Sequence, residues 1–310
     1  MNIFLNNPKE SWVVDRFVKE WNTYNFKQDK TYFYGSKIIW IIAPWMWKKI
    51  PIKYLKKNKV FCTIHHIDED KFDNYQLNDF LERDKYVDIY HVISKKTYEQ
   101  VQKLTNKPIK TIPFWVNQNI WYEIEKKENL RKKYNISKNA FVLGSFQRDT
   151  EGSDLISPKL SKGPDQFLEI VSYFNTKHND LIVILTGKRR NYLINEFNKN
   201  KIQYKYIEMA NFEKINDLYN ILDLYIVSSR YEGGPQSILE CAASKTPIIS
   251  TDVGIAREIL NEKSIFDMNN FKFAKPDTMV YLRFFQTLVE FQNFFQKNMI
   301  FHSNNLTTKT

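Results

Sequence analysis

Short, unbroken apolar runs alternate with amphipathic stretches along nearly the whole chain, and this restricts the fold more than any other feature. The run Ile38-Ile39-Trp40-Ile41-Ile42 has the length of a strand and no polar face, so both of its sides must be covered, and Pro44 stops it. Residues 60–64, 87–93 and 109–113 repeat the signal, with helical periodicity over 75–83 and 95–104 between them. A second series follows. Strands are predicted at 141–144, 181–185, 204–207, 224–227 and 247–250, and helices at 164–173, 192–198, 213–222 and 236–243. Parallel strands need a crossover, usually a helix, so the alternation predicts α/β architecture with parallel sheets covered on both faces.

The charged segment 122–133 is helical in composition but lacks a strong apolar face, and it is read as the junction. The expected organisation is a short first domain over 1–121, a second over 122–272 and a C-terminal helix and tail over 273–310. The two sheets are expected to face each other across a cleft. In the tail, Leu282, Phe285, Leu288, Phe291 and Phe295 recur at helical spacing behind Asp277 or Thr278 as cap. A length of 310 residues suits two such domains, and eight glycines and ten prolines argue against long disordered linkers.

Cys62 and Cys241 are the only cysteines, which excludes a disulfide framework and a cysteine-based zinc cluster. The start MNIFLNNPKESW lacks a signal-peptide pattern, and the longest apolar run, 38–47, is about half the length of a membrane span. A cytoplasmic protein, soluble or peripheral on the cytosolic membrane face, is expected. The net charge of +11 favours anionic partners without choosing among nucleotide phosphates, lipid headgroups and nucleic acid. No nucleic-acid-binding signature supports the last. Trp45, Trp47, Lys48 and Lys49, continued by Lys53, Lys56, Lys57 and Lys59, pair interfacial aromatics with positive charge, which suits an anionic membrane or a polyanionic acceptor, or equally a set of solvated lysines beside a partly buried tryptophan pair.

The stretch most informative about chemistry runs from Ser228 to Glu240. A buried strand ends at Val227, Gly233-Gly234 makes a tight turn, and Pro235 suits a helix start, followed by Gln236 and Ser237. The carboxyl end of a parallel strand leading into a helix N-terminus is where α/β sheets bind ligands, and the free amides there favour phosphate. Glu232 and Glu240 flank the turn with seven residues between them.

That E-x7-E spacing resembles the retaining GT-B glycosyltransferases of glycosyltransferase family 4, "group 1". Residues 241–250 are similar to the small-residue helix end, turn and strand of that family, except at Lys245, where glycine is usual; 251–260 also look alike. The resemblance is specific over 141–260. It implies two Rossmann-like domains and transfer of a sugar, with retention and without a metal or cofactor, from a UDP- or GDP-type donor to a glycan or lipid-linked acceptor. Glu240 would bind the donor ribose and Glu232 the transferred sugar. The turn from Gly233 to Ser237 would hold the sugar and distal phosphate. Lys162-Gly163 matches a Lys-Gly pair whose lysine stabilises the departing diphosphate. Gly144 ends a strand as in the family, but Ser145 stands where an arginine is usual, and Arg148 is expected to substitute.

Other positions follow by comparison. His65, at the end of the run 60–64, is expected to contact the sugar or polarise the acceptor hydroxyl, with His66 in reserve. Arg189 and Arg190 would reach a phosphate or acidic acceptor, or form a solvated charge run. The nucleobase would lie near 206–211. The glycine-rich loop usual after the first strand is replaced by 6–12, so acceptor recognition does not carry over. Three rivals stay open. One is a metal-dependent transferase using Asp68-Glu69-Asp70, another is a GT-B-shaped epimerase or phosphorylase, and the third is a non-catalytic polyanion or nucleic-acid binder.

Overall fold

The computed structural model describes residues 3–10, 13–24, 29–30 and 33–280, and the chain divides into two compact units between Pro113 and Phe114. The first unit holds β1 (Ile3–Leu5), β2 (Asp29–Lys30), β3 (Ile38–Ile41), β4 (Lys59–Ile64), β5 (Ile89–Val92) and β6 (Ile109–Thr111). These strands pair in the order β2-β1-β3-β4-β5-β6, every neighbour parallel. All four residues of β3 are buried, as the absence of a polar face required. Helices Asn74–Asp84 and Lys95–Val101 start where Asp73 and Ser94 accept hydrogen bonds from Gln76 N and Thr97 N. They bring Phe80 and Val101 onto the core built from Ile39, Ile41, Val60, Cys62 and Val92. Helix Val13–Tyr24, which the sequence reading leaves unassigned, buries Val14, Phe17 and Val18.

The aromatic and basic cluster after β3 is less of a surface than its sequence suggests. It forms a 3-10 turn, Pro44–Lys49, in which Trp47 is core: it is 2% exposed, and its indole N–H reaches both Asp79 oxygens at 3.2 Å. Lys48 is neutralised by Asp79 and Glu82, each at 3.0 Å. Trp45 remains half-exposed and donates to Glu10. Membrane contact through Trp47 is therefore corrected, because its ring is inside; Lys48 stays exposed with two carboxylates beside it.

The second unit contains β7 (Phe141–Ser145), β8 (Leu181–Thr186), β9 (Tyr204–Ile207), β10 (Leu224–Val227), β11 (Ile248–Thr251) and β12 (Ile265–Phe266). Its order is β12-β11-β10-β7-β8-β9, again fully parallel. The chain builds outward from β7 to β9, then returns to add β10, β11 and β12 on the other side of β7. The crossovers diverge between β7 and β10, opening a crevice at their carboxyl ends. Val116 and Trp121 lie in the core of this unit. The charged helix Lys127–Lys133 docks by ion pairs, with Lys127 and Arg131 at 2.9 and 2.6 Å from Asp223.

Lys245 ends helix Gln236–Ser244 with φ 53°, the left-handed conformation a glycine takes at that position, and Thr246 N still closes onto Cys241 O at 2.9 Å. The turn keeps its shape without the glycine. Asp277 accepts from Met279 N and Asn261 N. The predicted helix beyond residue 280 lies outside the described residues.

Candidate functional site

The β7–β10 crevice is bounded by two loops, 146–163 after β7 and 228–235 after β10, and the two are tied together closely. Arg230 N and Tyr231 N both donate to Ser161 O, at 2.9 and 3.1 Å. The Ser228 hydroxyl donates to Gly163 O at 2.9 Å, and Gln166 Nε2 donates to Ser228 O at 2.7 Å. Gly163 has φ 61°, and a Cβ there would stand 1.8 Å from Ser228 O, so no side chain fits. Arg230 clamps Asp165 through two nitrogens at 2.8 and 2.6 Å.

This lacing brings Lys162 and Glu232, 70 positions apart, into a largely buried ion pair at 2.5 Å. The Ser229 hydroxyl lies 3.2 Å from the same Glu232 oxygen, and Gln147 Nε2 donates to the Lys162 carbonyl at 2.8 Å. Beyond the turn, Gly233 packs under Gly254, whose own Cβ would meet Gly233 O at 2.2 Å. Pro235 sits one residue before helix Gln236–Ser244, and Gln236 and Ser237 form the opening of that helix. Glu240, on the same helix, is buried and accepts a hydrogen bond from the Tyr219 hydroxyl at 2.8 Å. Burial first, and the Glu240 charge second, push the Tyr219 pKa well up, so the hydroxyl stays a donor.

A strand-end cradle, a lysine, two carboxylates and a helix N-terminus thus gather at the carboxyl ends of the central strands of one sheet. The glycosyl transferases group 1 family matches residues 127–277, which contain all of these groups. The second unit is a group 1 glycosyl transferase domain.

An O-antigen biosynthesis glycosyltransferase of Escherichia coli, WclY, is 25% identical over 158 residues, 50% of this chain and 40% of that protein. The chain therefore matches less than half the length of that relative. HepE of Anabaena, solved with UDP and glucose, superposes with a TM-score of 0.72 at 12% identity, covering 96% of this chain and 99% of that one. Sucrose-phosphate synthase of Thermosynechococcus elongatus gives 0.65 at 16% identity, covering 95% and 80%. The fold is GT-B.

In the group 1 domain the remaining expected site residues take different places. Gly144 meets Leu222, whose Cδ1 would be 2.4 Å from an added Cβ, so packing accounts for this glycine. Arg148 is exposed and turns back to donate to Thr150 O at 2.7 Å; partial burial and then the charge of Arg189 lower its pKa. Arg189 donates to Gly152 O at 3.2 Å. Arg190 is neither solvated nor directed at a phosphate. It is 1% exposed and lies 2.8 Å from Asp149. That corrects its expected role: the guanidinium is buried beside Asp149 inside the loop.

In the first unit, His65 Nε2 donates to Ile42 O at 2.8 Å, and burial brings its pKa down to about 4, so it is neutral at pH 7. His66 is exposed. Gln147, Ser229, Gln166 and Tyr219 were missed, since uncharged polar side chains carry no spacing signal of their own. Among the described residues no three His, Cys, Asp or Glu side chains gather to hold a metal, and no helix is long and apolar enough to cross a membrane.

Proposed function

We propose that the chain is a retaining, metal-independent glycosyltransferase that moves a sugar from a UDP- or GDP-type donor to a glycan or lipid-linked acceptor. The observation that carries the reading is the Lys162–Glu232 pair, held at the β7–β10 crevice beside the start of helix Gln236–Ser244. A leaving diphosphate gains negative charge as the glycosidic bond breaks, and a fixed cation beside a helix N-terminus lowers the energy of that step. Lys162 supplies the cation without help from a metal. Glu232 accepts hydrogen bonds from sugar hydroxyls. Glu240, with one oxygen held by Tyr219, offers its carboxylate to the vicinal hydroxyls of ribose.

HepE was solved with UDP and glucose, which favours a nucleotide-diphosphate sugar as the ligand class. WclY is named for O-antigen biosynthesis, which favours a glycan or lipid-linked acceptor. His65, neutral at pH 7, would polarise an acceptor hydroxyl and would not act as an acid. The reading places the protein in the cytoplasm. Trp45, Lys49, Lys53, Lys56 and Lys57 are exposed members of the aromatic and basic cluster that would make a peripheral membrane contact.

Thermal protection by a panel of UDP- and GDP-hexoses in EDTA, with product analysis, tests the reading. One donor should stabilise the wild type and not Glu240→Ala, and the released sugar should keep its anomeric configuration. Absence of protection by every donor overturns the reading, as does an epimerised sugar. Strict dependence on a divalent cation overturns its metal-free form.

A further inference from the structure

Loop 146–163 is anchored at both ends by a buried structure that the donor-site reading does not use. Arg190 follows β8 with its side chain fully buried, its Nε 2.8 Å from Asp149 Oδ2. The Asp149 and Thr150 N–H groups donate to Arg189 O at 3.2 and 3.1 Å, and Lys159 N donates to Asp149 O at 2.8 Å. The first leg of the loop is thereby tied to the segment that follows β8, and the second leg to the first. A buried ion pair is a poor source of stability because each charge loses its water, so its main product here is location. Arg190 Nη1 also donates to the carbonyl of Gln147 and, at 3.4 Å, to Thr186 O at the end of β8.

Gln147 in turn faces the site. Its Nε2 donates to Lys162 O at 2.8 Å, and its Oε1 lies 3.1 Å from the Ser229 hydroxyl. That hydroxyl also lies 3.2 Å from Glu232 Oε1, so its one hydrogen is shared between the amide and the carboxylate. A single side chain therefore touches the backbone of the lysine and the hydroxyl that contacts the glutamate, while its own backbone is fixed from behind.

We propose that Gln147, held by the buried Arg190–Asp149 pair, is a positioning residue that sets Lys162 and Glu232 at the geometry needed for departure of the diphosphate. This rests on the donor-site reading above. Gln147 would act through Lys162 and touch no substrate atom. Its loss should then lower kcat and leave donor KM nearly unchanged, because the interaction it tunes is strongest in the transition state.

The test is steady-state turnover of the full chain with the nucleotide sugar the wild type uses, found from the same panel of UDP- and GDP-hexoses. Gln147→Ala should lower kcat about tenfold with donor KM within about threefold. The melting temperature should stay within about 2 °C. Gln147→Glu, which keeps the shape but cannot donate to Lys162 O, should be no better than Gln147→Ala. In a Lys162→Ala background, Gln147→Ala should cost less than about twofold more, since partners in one chain of contacts are not additive. A full tenfold loss in that background, restoration by Gln147→Glu, or unchanged kcat overturns the inference while donor turnover stands. A wild type that turns over none of the panel removes the donor-site reading itself, and the inference with it.

Discussion

The two units carry sheets of six parallel strands, yet the polar groups at the carboxyl ends of those strands differ in charge. In the first unit a series of uncharged polar side chains there ends on the main chain. The Trp40 indole donates to the Thr63 hydroxyl at 2.8 Å, that hydroxyl meets His91 Nδ1 at 3.0 Å, and His91 Nε2 donates to Ile112 O at 2.7 Å. His65 likewise ends on Ile42 O. In the second unit side chains also bond to carbonyls such as Gly163 O and Lys162 O, but charged and polar groups there meet one another as well: Lys162 and Glu232, Ser229 and Gln147, Arg230 and Asp165. A network closed on backbone carbonyls fixes a core. One that ends in paired side chains leaves charges that can exchange partners when a ligand enters. Sheet architecture is common to both, so it does not decide which unit does chemistry; the loops do.

The largest effect that would break this comparison is on turnover. Lys162→Ala should lower donor turnover by about 10²- to 10³-fold, the usual result of removing one group that stabilises developing negative charge. The fold should survive, because Lys162 ends a single 3-10 turn outside both hydrophobic cores of the unit. Near-wild-type kcat in Lys162→Ala would mean that the pair is structural, and the second unit would then resemble the first.

The corresponding experiment on the first unit is a pH dependence of stability. Burial lowers the His91 pKa from 6.5 to about 4, with the Ile112 hydrogen bond opposing and the His65 charge adding to the fall. The unfolded chain therefore binds a proton that the folded chain refuses between pH 6.5 and about 4. Stability from this group is complete above pH 6.5 and declines as pH falls, by up to about 3 kcal/mol. Urea midpoints for the wild type and His91→Gln should converge on acidification from pH 7.5 to 4.5. Parallel curves would show that His91 is not held neutral in the fold.

Much of this was legible in the sequence, for identifiable reasons. Apolar runs with no polar face, such as 38–41 and 224–227, must be doubly covered strands, and helices sit between them. Lys162, Gly163, Glu232 and Glu240 were legible because charge and glycine at loop positions stand out against a simple background. The failures share one cause. Arg190 and Trp47 belong to types read as surface groups, and only long-range partners, Asp149 and Asp79, show that both are inside. A partner 30 or 40 residues away leaves no local pattern, and neither does the link from Gln147 to Lys162.

A smaller effect tests the lacing of the two loops. Gly163→Ala adds a Cβ at φ 61° with Ser228 O in its path, and the clash is with backbone, which cannot rotate away. Destabilisation of about 2 kcal/mol is expected from left-handed strain and displacement together. It should appear as a lower urea midpoint with an unchanged slope. An undisturbed midpoint would mean that the loops can part without cost, and Lys162 and Glu232 would then not be held as a pair.

Tyr219→Phe should have the smallest effect, and it separates holding a residue from binding a ligand. The ring is 1% exposed and packs against Trp121, Phe146 and Tyr225, all of which phenylalanine can still meet. Only the hydroxyl is lost, and with it the donor to Glu240 Oε2. A buried carboxylate oxygen then lacks its bond, worth about 1 kcal/mol net, or roughly fivefold in an equilibrium. If Glu240 binds ribose through a carboxylate that Tyr219 holds in place, the loss should appear in nucleoside diphosphate affinity as well as in stability. Calorimetric titration of UDP and GDP into the wild type and Tyr219→Phe separates the cases. Weaker binding with an otherwise intact fold supports a pre-set ribose contact. A variant that is less stable but binds as tightly as the wild type would make the Tyr219–Glu240 bond a core contact of the kind the first unit uses.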